Sequence, residues 1–382
     1  TAYEITYGDW NSDVCSSDLR KFVAARLGEL SLAGAVALLW WRCGSLDLAT
    51  CMRVMPTLQH DALLPIALLL AVAAMARSVQ VPFHAWLPDT MEAPTPVSAL
   101  LHAGIVNAGG ILLIRFAPLL VRVPEACLLL SAIGTLTIIV GTLAMAQQVR
   151  VKQALAWSTV SQMGFMTVQC AVAAFPAALL HLVGHGAYKA MAFLRVGEAP
   201  SSGRAPGAAW WNVTLLVTGA VAAMPCMLLA EWASGFSPRH SPGEMALAWV
   251  VALAVGQAWM AALAGAGGVR QVVRGIAAAG LAATAFPMTC FMAYRATGLF
   301  LQPLLGDLPA SFDTLQVLAA VLPAFAITML ALAHAAQPWL DRLRVWRELQ
   351  VQARGGFHAA RVIDRALDSI RIGTPSTEMR HA

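Results

Sequence analysis

Apolar runs of about 20 residues recur along nearly the whole chain, and this repetition limits the folds it can adopt. As an α-helix, a run of that length crosses the hydrocarbon core of a bilayer. In agreement, 59% of the 382 residues are hydrophobic and 12% are charged, against roughly 25% charged in a soluble domain. The sequence therefore predicts an all-α, polytopic helical bundle in a membrane.

Hydropathy predicts about ten spans. They cover 22–41, 63–80, 95–117, 127–147, 152–173, 176–196, 209–231, 245–266, 271–296 and 315–336. The tail, 337–382, is polar and Arg-rich, and its stretch "FHAARVIDRALDSI" has the apolar spacing of an amphipathic helix. Such a helix lies on a membrane surface or against a partner.

The first 19 residues differ in character from the rest. They are polar, and "YEITYGDWNSDVCSSDL" resembles a translated sequencing adapter. We expect 1–19 to be an artefact and the natural protein to begin further upstream.

The charged residues predict the orientation. If Arg20 and Lys21 are cytoplasmic, alternation of the spans places most of the other basic loops and the tail on that side, as the positive-inside rule requires. We therefore expect a bacterial inner-membrane protein with a cytoplasmic C-terminus. The net charge of +5 is spread over loops rather than clustered, which argues against a nucleic-acid partner.

Metal and cofactor sites are not indicated. The seven cysteines form no CxxC pair and lie in or near apolar runs, which is typical of buried small side chains rather than haem or iron–sulfur ligands. We expect no cofactor.

Two prolines interrupt the third span. Pro94 and Pro96 remove backbone donors and disfavour helix at the residues before them. We predict a helix that ends near Met91, a short loop, and a new helix that carries His102 and Asn107. An ordinary proline kink or a surface re-entrant turn is the alternative. Broken helices occur at membrane depth where the freed backbone faces protein or water.

Ionisable side chains also repeat along one later span. In "ALLHLVGHGAYKAMAFL", His181, His185 and Lys189 recur every fourth residue and so share one helix face. Histidine suits proton transfer because its pKa lies near neutrality. The alternatives are a metal site, which lacks a third ligand, or histidines that bond neighbouring carbonyls.

Two further polar groups are ambiguous. The span "VKQALAWSTVSQMGF" carries Ser158, Ser161 and Gln162, which either join helices or line a row of water molecules. In the first span, Arg26 and Glu29 are three residues apart and are expected to pair at a helix end.

These motifs together resemble a known family. "RSVQVPFHAWLPDTMEAPTPVSALLHAGIVNAGG", "VRVKQALAWSTVSQMGFM" and "ALLHLVGHGAYKAMAFL" are similar to the core of the proton-translocating antiporter-like subunits. That family includes the L, M and N chains of NADH–quinone oxidoreductase and the large Mrp sodium/proton antiporter subunits. The resemblance covers about 20–197, and it implies a discontinuous helix at the "TPVSALLHA" position.

The resemblance also implies roles for individual residues. Lys189 matches the central relay lysine, with His181, His185 and His102 as its proton-carrying neighbours. Arg77 stands where respiratory members have a lysine modulated by a glutamate on an earlier helix, which we expect upstream of this chain. The arginine is then an electrostatic modulator, together with Asp89 and Glu92 near the cytoplasmic mouth. The polar lining would be Asn107, Ser158, Ser161 and Gln162.

Beyond Gly197 the respiratory pattern fails, because 209–336 contain no lysine. The shortened second half, 198–336, resembles the membrane subunit of the DAB-type inorganic-carbon pump. That resemblance implies cation flow, of protons or sodium, that energises a large cytoplasmic zinc subunit of DabA type, similar to carbonic anhydrases. The alternatives are a respiratory or Mrp-type subunit, which would carry out no covalent chemistry itself, and a membrane anchor without transport.

Overall fold

The computed structural model describes residues 7–196, 209–235, 242–263, 269–305 and 314–354. Every regular element within these ranges is a helix. The predicted all-α class is therefore confirmed.

The first half of the chain, residues 7–196, forms ten α-helices and three short 3-10 turns. The helices are α1 (Tyr7–Cys43), α2 (Leu48–Val54), α3 (His60–Arg77), α4 (Trp86–Asp89), α5 (Thr95–Ala103), α6 (Ala108–Arg115), α7 (Ala117–Leu120), α8 (Pro124–Ala146), α9 (Val151–Ala171) and α10 (Phe175–Leu194). The 3-10 turns are Met55–Thr57, Thr90–Glu92 and Ile105–Asn107. Because α1 begins at Tyr7, its helix runs through the adapter-like stretch, whose origin stays a prediction.

The described part of the second half consists of longer helices. They are α11 (Ala209–Ser234), α12 (Pro242–Leu263), α13 (Val269–Leu305), α14 (Thr314–Ala335), α15 (Gln337–Leu340) and α16 (Arg344–Arg354). The helices α11, α12 and α13 pack on one another, and α14 packs on α8 of the first half. Ser131 Oγ donates a hydrogen bond of 2.5 Å to the Ala319 carbonyl across that contact.

Eight of the described helical segments are long and apolar enough to cross a membrane. They coincide with eight of the ten predicted spans, and the segment Thr95–Arg115 counts as one of them. The other two predicted spans are α9 and α10, which are helices of 21 and 20 residues. Their internal polar side chains lower their mean hydropathy. Both helices pack inside the bundle, α9 against α8 and α10, and α10 against α5 and α13.

The segment with Pro94 and Pro96 interrupts the helix at the position that the sequence predicts. Ala93 and Pro94 are extended, with ψ of 151° and 148°, between the turn Thr90–Glu92 and α5. The new helix differs from the expectation in one respect, because it is interrupted again at Gly104. Asn107 consequently lies in a 3-10 turn and not on the helix that carries His102.

The tail is described only as far as Arg354. There α16 packs against α8, and its residues Trp346 and Ala353 line a small cavity with Thr142 of that helix. The amphipathic stretch 357–370 lies outside the described residues, and the tail's predicted role stays a prediction.

Gly109 marks the closest packing of α6 against α3. A Cβ atom at Gly109 would collide with the Ser78 hydroxyl and the Ala74 carbonyl. Overpacking against backbone costs roughly 3 kcal/mol. We expect Gly109→Val to lower the amount of folded chain in membranes several-fold, as measured by quantitative immunoblot. Gly184→Val is the matched control, because nothing lies within 4 Å of a Cβ there. Equal levels of the two variants would contradict this packing.

Candidate proton-relay site

The centre of the site is a row of side chains along α10. His181, His185 and Lys189 lie one above another, and the ring centroids of the two histidines are 5.8 Å apart. The exposed fractions of His185 and Lys189 are 6% and 1%. The four-residue spacing thus places three titratable groups in one line, about 6 Å apart along the helix axis.

Lys189 is held by α9. Its Nζ donates a hydrogen bond of 2.8 Å to the Leu155 carbonyl and a second, short one to the Ser158 hydroxyl. Among the described residues no carboxylate forms an ion pair with it. An ionisable group at membrane depth costs at least about 2.5–3.5 kcal/mol on insertion scales, so its burial requires a functional reason.

His102 joins α5 to this row. Its ring is fully buried, and Nδ1 lies 3.0 Å from the Thr159 hydroxyl of α9. The other side of the contact is Phe193 on α10, whose ring stacks on His102 with centroids 4.6 Å apart. Since Phe193 is one helical turn after Lys189, three helices meet at the end of the row.

The second helix interruption brings α10 close to α5. In a continuous helix the Ala103 carbonyl would accept from the Asn107 backbone, which bonds Gly104 instead at 3.0 Å. The Asn107 side chain supplies the missing donor, with Nδ2 2.7 Å from that carbonyl. Gly186 of α10 lies against the same carbonyl, because a Cβ there would be only 2.9 Å away from it. The freed backbone group is therefore covered by protein.

Three buried polar atoms around this contact have no hydrogen-bond partner in the described part of the chain. They are Nε2 of His102, Nε2 of His185 and Oδ1 of Asn107. Buried polar atoms are nearly always satisfied by protein or by ordered water. The arrangement is thus suited to binding water molecules beside the row.

The three predicted lining residues on α9 lie on two different faces of that helix. Ser158 bonds Lys189, and Gln162 lines a cavity that His181 also lines. Ser161 instead lies 2.8 Å from the Thr142 hydroxyl of α8. Because Ser161 faces α8, it joins helices and does not line the row, which differs from the expectation.

Arg77, the predicted modulator, is the last residue of α3 and pairs with α1. Its Nη2 lies 3.2 Å from Glu29, which also bonds Arg26 at 2.8 Å. The sequence predicts the Arg26–Glu29 pair but not its third member. Glu29 thus supplies a carboxylate beside Arg77 from within this chain. The family's glutamate on an earlier helix, expected upstream of this chain, stays a prediction.

Asp89 and Glu92, the other predicted modulators, are exposed around the turn Thr90–Glu92. Lys152, at the start of α9, donates to the neighbouring Ala93 carbonyl at 3.1 Å. The two carboxylates therefore lie at the end of the bundle where Lys189 is held, and not within the row.

Two buried polar groups were not assigned to the site from the sequence. Gln169 Oε1 lies 2.9 Å from His181 Nδ1, and His84 is 1% exposed with its ring 5.7 Å from that of Trp157. Gln169 is seven residues after Gln162, so helical periodicity would have placed both on one face. In the described ranges no group of three His, Cys, Asp or Glu side chains could hold a metal ion.

Comparison with known proteins identifies the family. A family model described as NADH:quinone oxidoreductase/Mrp antiporter, TM, matches residues 5–264. The chain belongs to this family. It is accordingly a multi-pass membrane protein, as its helices indicate.

Two curated relatives show the range of the family. The probable inorganic carbon transporter subunit DabB of Hydrogenovibrio crunogenus is 42% identical over 237 residues, which are 57% of this chain and 44% of that protein. The chloroplastic NAD(P)H-quinone oxidoreductase subunit 5 of Oryza sativa is 41% identical over 187 residues, 47% of this chain and 25% of that protein. The chain thus spans less than half the length of these relatives.

A solved structure has a similar arrangement over nearly the whole chain. The Mrp complex from Dietzia sp. DQ12-45-1b superposes with a TM-score of 0.56 at 27% identity, covering 95% of this chain and 44% of that chain.

Proposed function

We propose that this chain is the proton-conducting part of a membrane subunit that energises inorganic-carbon uptake. Protons would enter at the His181 end of the row and move through His185 and bound water to Lys189, at the cytoplasmic end. The proposal rests on the row of titratable side chains on α10. Three buried polar atoms in and beside this row, on His102, His185 and Asn107, have no protein hydrogen-bond partner among the described residues and are suited to binding water.

The neighbouring groups support proton transfer rather than simple packing. His102 faces the row from the interrupted helix and contacts Phe193, one turn from Lys189. Helix interruptions next to titratable groups are a common device of transporters, since they place backbone dipoles at the ion's route. Arg77 pairs with Glu29 away from the row, so we assign it the role of an electrostatic modulator and not of a proton carrier.

The carbon-uptake part rests on the relatives. The Hydrogenovibrio relative is named as a probable inorganic carbon transporter subunit, and the word subunit implies further chains in the same complex. We propose that this chain has the same kind of partner, a large cytoplasmic zinc protein that converts CO₂ to bicarbonate. Moving one charge through 100 mV yields about 2.3 kcal/mol, which suffices to drive such a cycle in one direction.

The orientation belongs to the same proposal. Lys21 lies 5.8 Å from the Trp86 ring, and Lys152 bonds Ala93. Both lysines therefore flank the broken segment at one end of the bundle. The positive-inside rule makes this end cytoplasmic, in a bacterial inner membrane, and we propose that the Arg-rich tail is on the same side.

A respiratory or Mrp-type role is the second candidate. It is favoured by the Mrp superposition over 95% of the chain and by the similarity to the rice quinone oxidoreductase subunit. In that case protons would move through the same row, while the partner would contain quinone and iron–sulfur sites.

Purification of the natural complex separates these candidates. We expect a large zinc-containing protein to copurify, and cells that carry the complex to accumulate radiolabelled bicarbonate only until a protonophore is added. Uptake that is insensitive to the protonophore would overturn the proposal. Copurification of iron–sulfur subunits would favour the respiratory candidate.

A further inference from the structure

A cavity of about 270 Å³ lies between the two halves of the chain, where α9, α10, α12 and α13 meet. Its walls are mostly apolar, with side chains such as Phe165, Leu247 and Phe291. The polar groups on the wall are Gln162, Gln169, His181, Glu244 and Tyr294. The cavity thus connects the end of the α10 row to a carboxylate of the second half that sequence reasoning did not single out.

The position of the cavity along the bundle follows from the helix starts. His181 is in the second turn of α10, which begins at Phe175, whereas Lys189 is in the penultimate turn. Glu244 is the third residue of α12, and its neighbour Gly243 packs directly on the Val172 carbonyl in the turn between α9 and α10. The cavity and Glu244 therefore lie at the end of the bundle opposite to Lys189.

Glu244 is held towards α13. The Tyr294 hydroxyl donates a hydrogen bond of 3.2 Å to Glu244 Oε1. The cavity has room for several water molecules, and its polar groups are of the kind that bind them. Glu244 is half-buried in the first turn of α12, where the helix N-terminus favours a negative charge, and it borders the cavity.

We propose that Glu244 is the proton-exchanging group at the outer end of the route, joined to His181 through water in this cavity. The inference rests on the proposed function and extends it. A proton would bind Glu244 from the membrane surface opposite to Lys189, pass along water to His181, and continue along the row to Lys189. Gln162 and Gln169 orient the water and the His181 ring, and Tyr294 fixes the carboxylate.

The same cavity favours protons over sodium. A hard metal cation requires about six oxygen ligands arranged around it. Here one carboxylate, one phenol and two amides are distributed among apolar side chains, and the Gln169 oxygen already lies 2.9 Å from His181 Nδ1. A proton needs only titratable groups joined by water, which this arrangement offers.

The test measures proton flux in liposomes that contain the complete complex. A potassium gradient with valinomycin sets the membrane potential, and an enclosed pH-sensitive dye reports flux. We expect Glu244→Gln to lower flux about tenfold or more, because glutamine cannot exchange a proton. Glu244→Asp should retain most of the flux. The matched control is Glu231→Gln, whose carboxylate lines a different cavity with Met227 and Trp249.

Unchanged flux in Glu244→Gln would overturn the inference while leaving the α10 row intact, since the row is tested by Lys189. If Glu244→Gln fails to accumulate in membranes, Ala177→Leu tests the water route through the cavity instead. Ala177 lines the cavity one turn before His181, so leucine there displaces water without removing a titratable group. We expect it to lower flux in a fully assembled complex, and wild-type flux would contradict the route.

Discussion

Replacing Lys189 with alanine is expected to abolish bicarbonate accumulation while the complex still assembles. Lys189 is 1% exposed, and its Nζ bonds the Leu155 carbonyl and the Ser158 hydroxyl. Alanine removes the group that we propose receives protons at this end of the row. The loss of a positioned proton-transfer group lowers a rate about 100-fold or more. The measurement is uptake of radiolabelled bicarbonate, with copurification of the partner as the check on assembly.

Lys21→Ala is the matched control for this change. Lys21 is exposed at the start of the first span and lies over the Trp86 ring, away from α10. Its removal should leave uptake close to the wild-type rate. If Lys189→Ala takes up bicarbonate normally in an assembled complex, Lys189 is not a relay group.

Replacing His102 with phenylalanine is expected to lower proton flux about 10- to 100-fold. Phenylalanine keeps the volume of the ring and its stacking on Phe193, so the fold should be retained. It loses the contact between Nδ1 and the Thr159 hydroxyl and also the second ring nitrogen, which has no protein partner in the described ranges. Flux is measured in liposomes, as for Glu244.

The control for His102 is His60→Phe. His60 lies at the start of α3, half-exposed, and pairs with Glu125 at 3.1 Å. It is not part of the row, so its loss should not change flux. Wild-type flux in His102→Phe would limit His102 to a structural role at the helix interruption.

Much of the fold could be predicted from the sequence because its main signals are local. The length of an apolar run fixes a span, and Pro94 and Pro96 interrupt the helix through their own backbone chemistry. The second interruption, at Gly104, was missed. Glycine there is compatible with a continuous helix, and the interruption is seen in the backbone bond from Asn107 to Gly104 and in the close approach of Gly186 to the Ala103 carbonyl.

The site was predictable within one helix and not between helices. The spacing of His181, His185 and Lys189 is a property of α10 alone. Pairs such as Arg77–Glu29 join residues that are 48 positions apart in the chain. Ser161 was assigned to the wrong face for the same reason, since only the packing of α8 on α9 determines which side each hydroxyl faces.

Proton conduction along the α10 row is best tested by potential-driven flux through the wild-type complex in sodium-free liposomes. We expect a pH change inside the vesicles that needs no sodium, follows the imposed potential and disappears in Lys189→Ala. Proton conduction would be contradicted if the pH inside the vesicles did not change, or if it changed only when sodium was supplied.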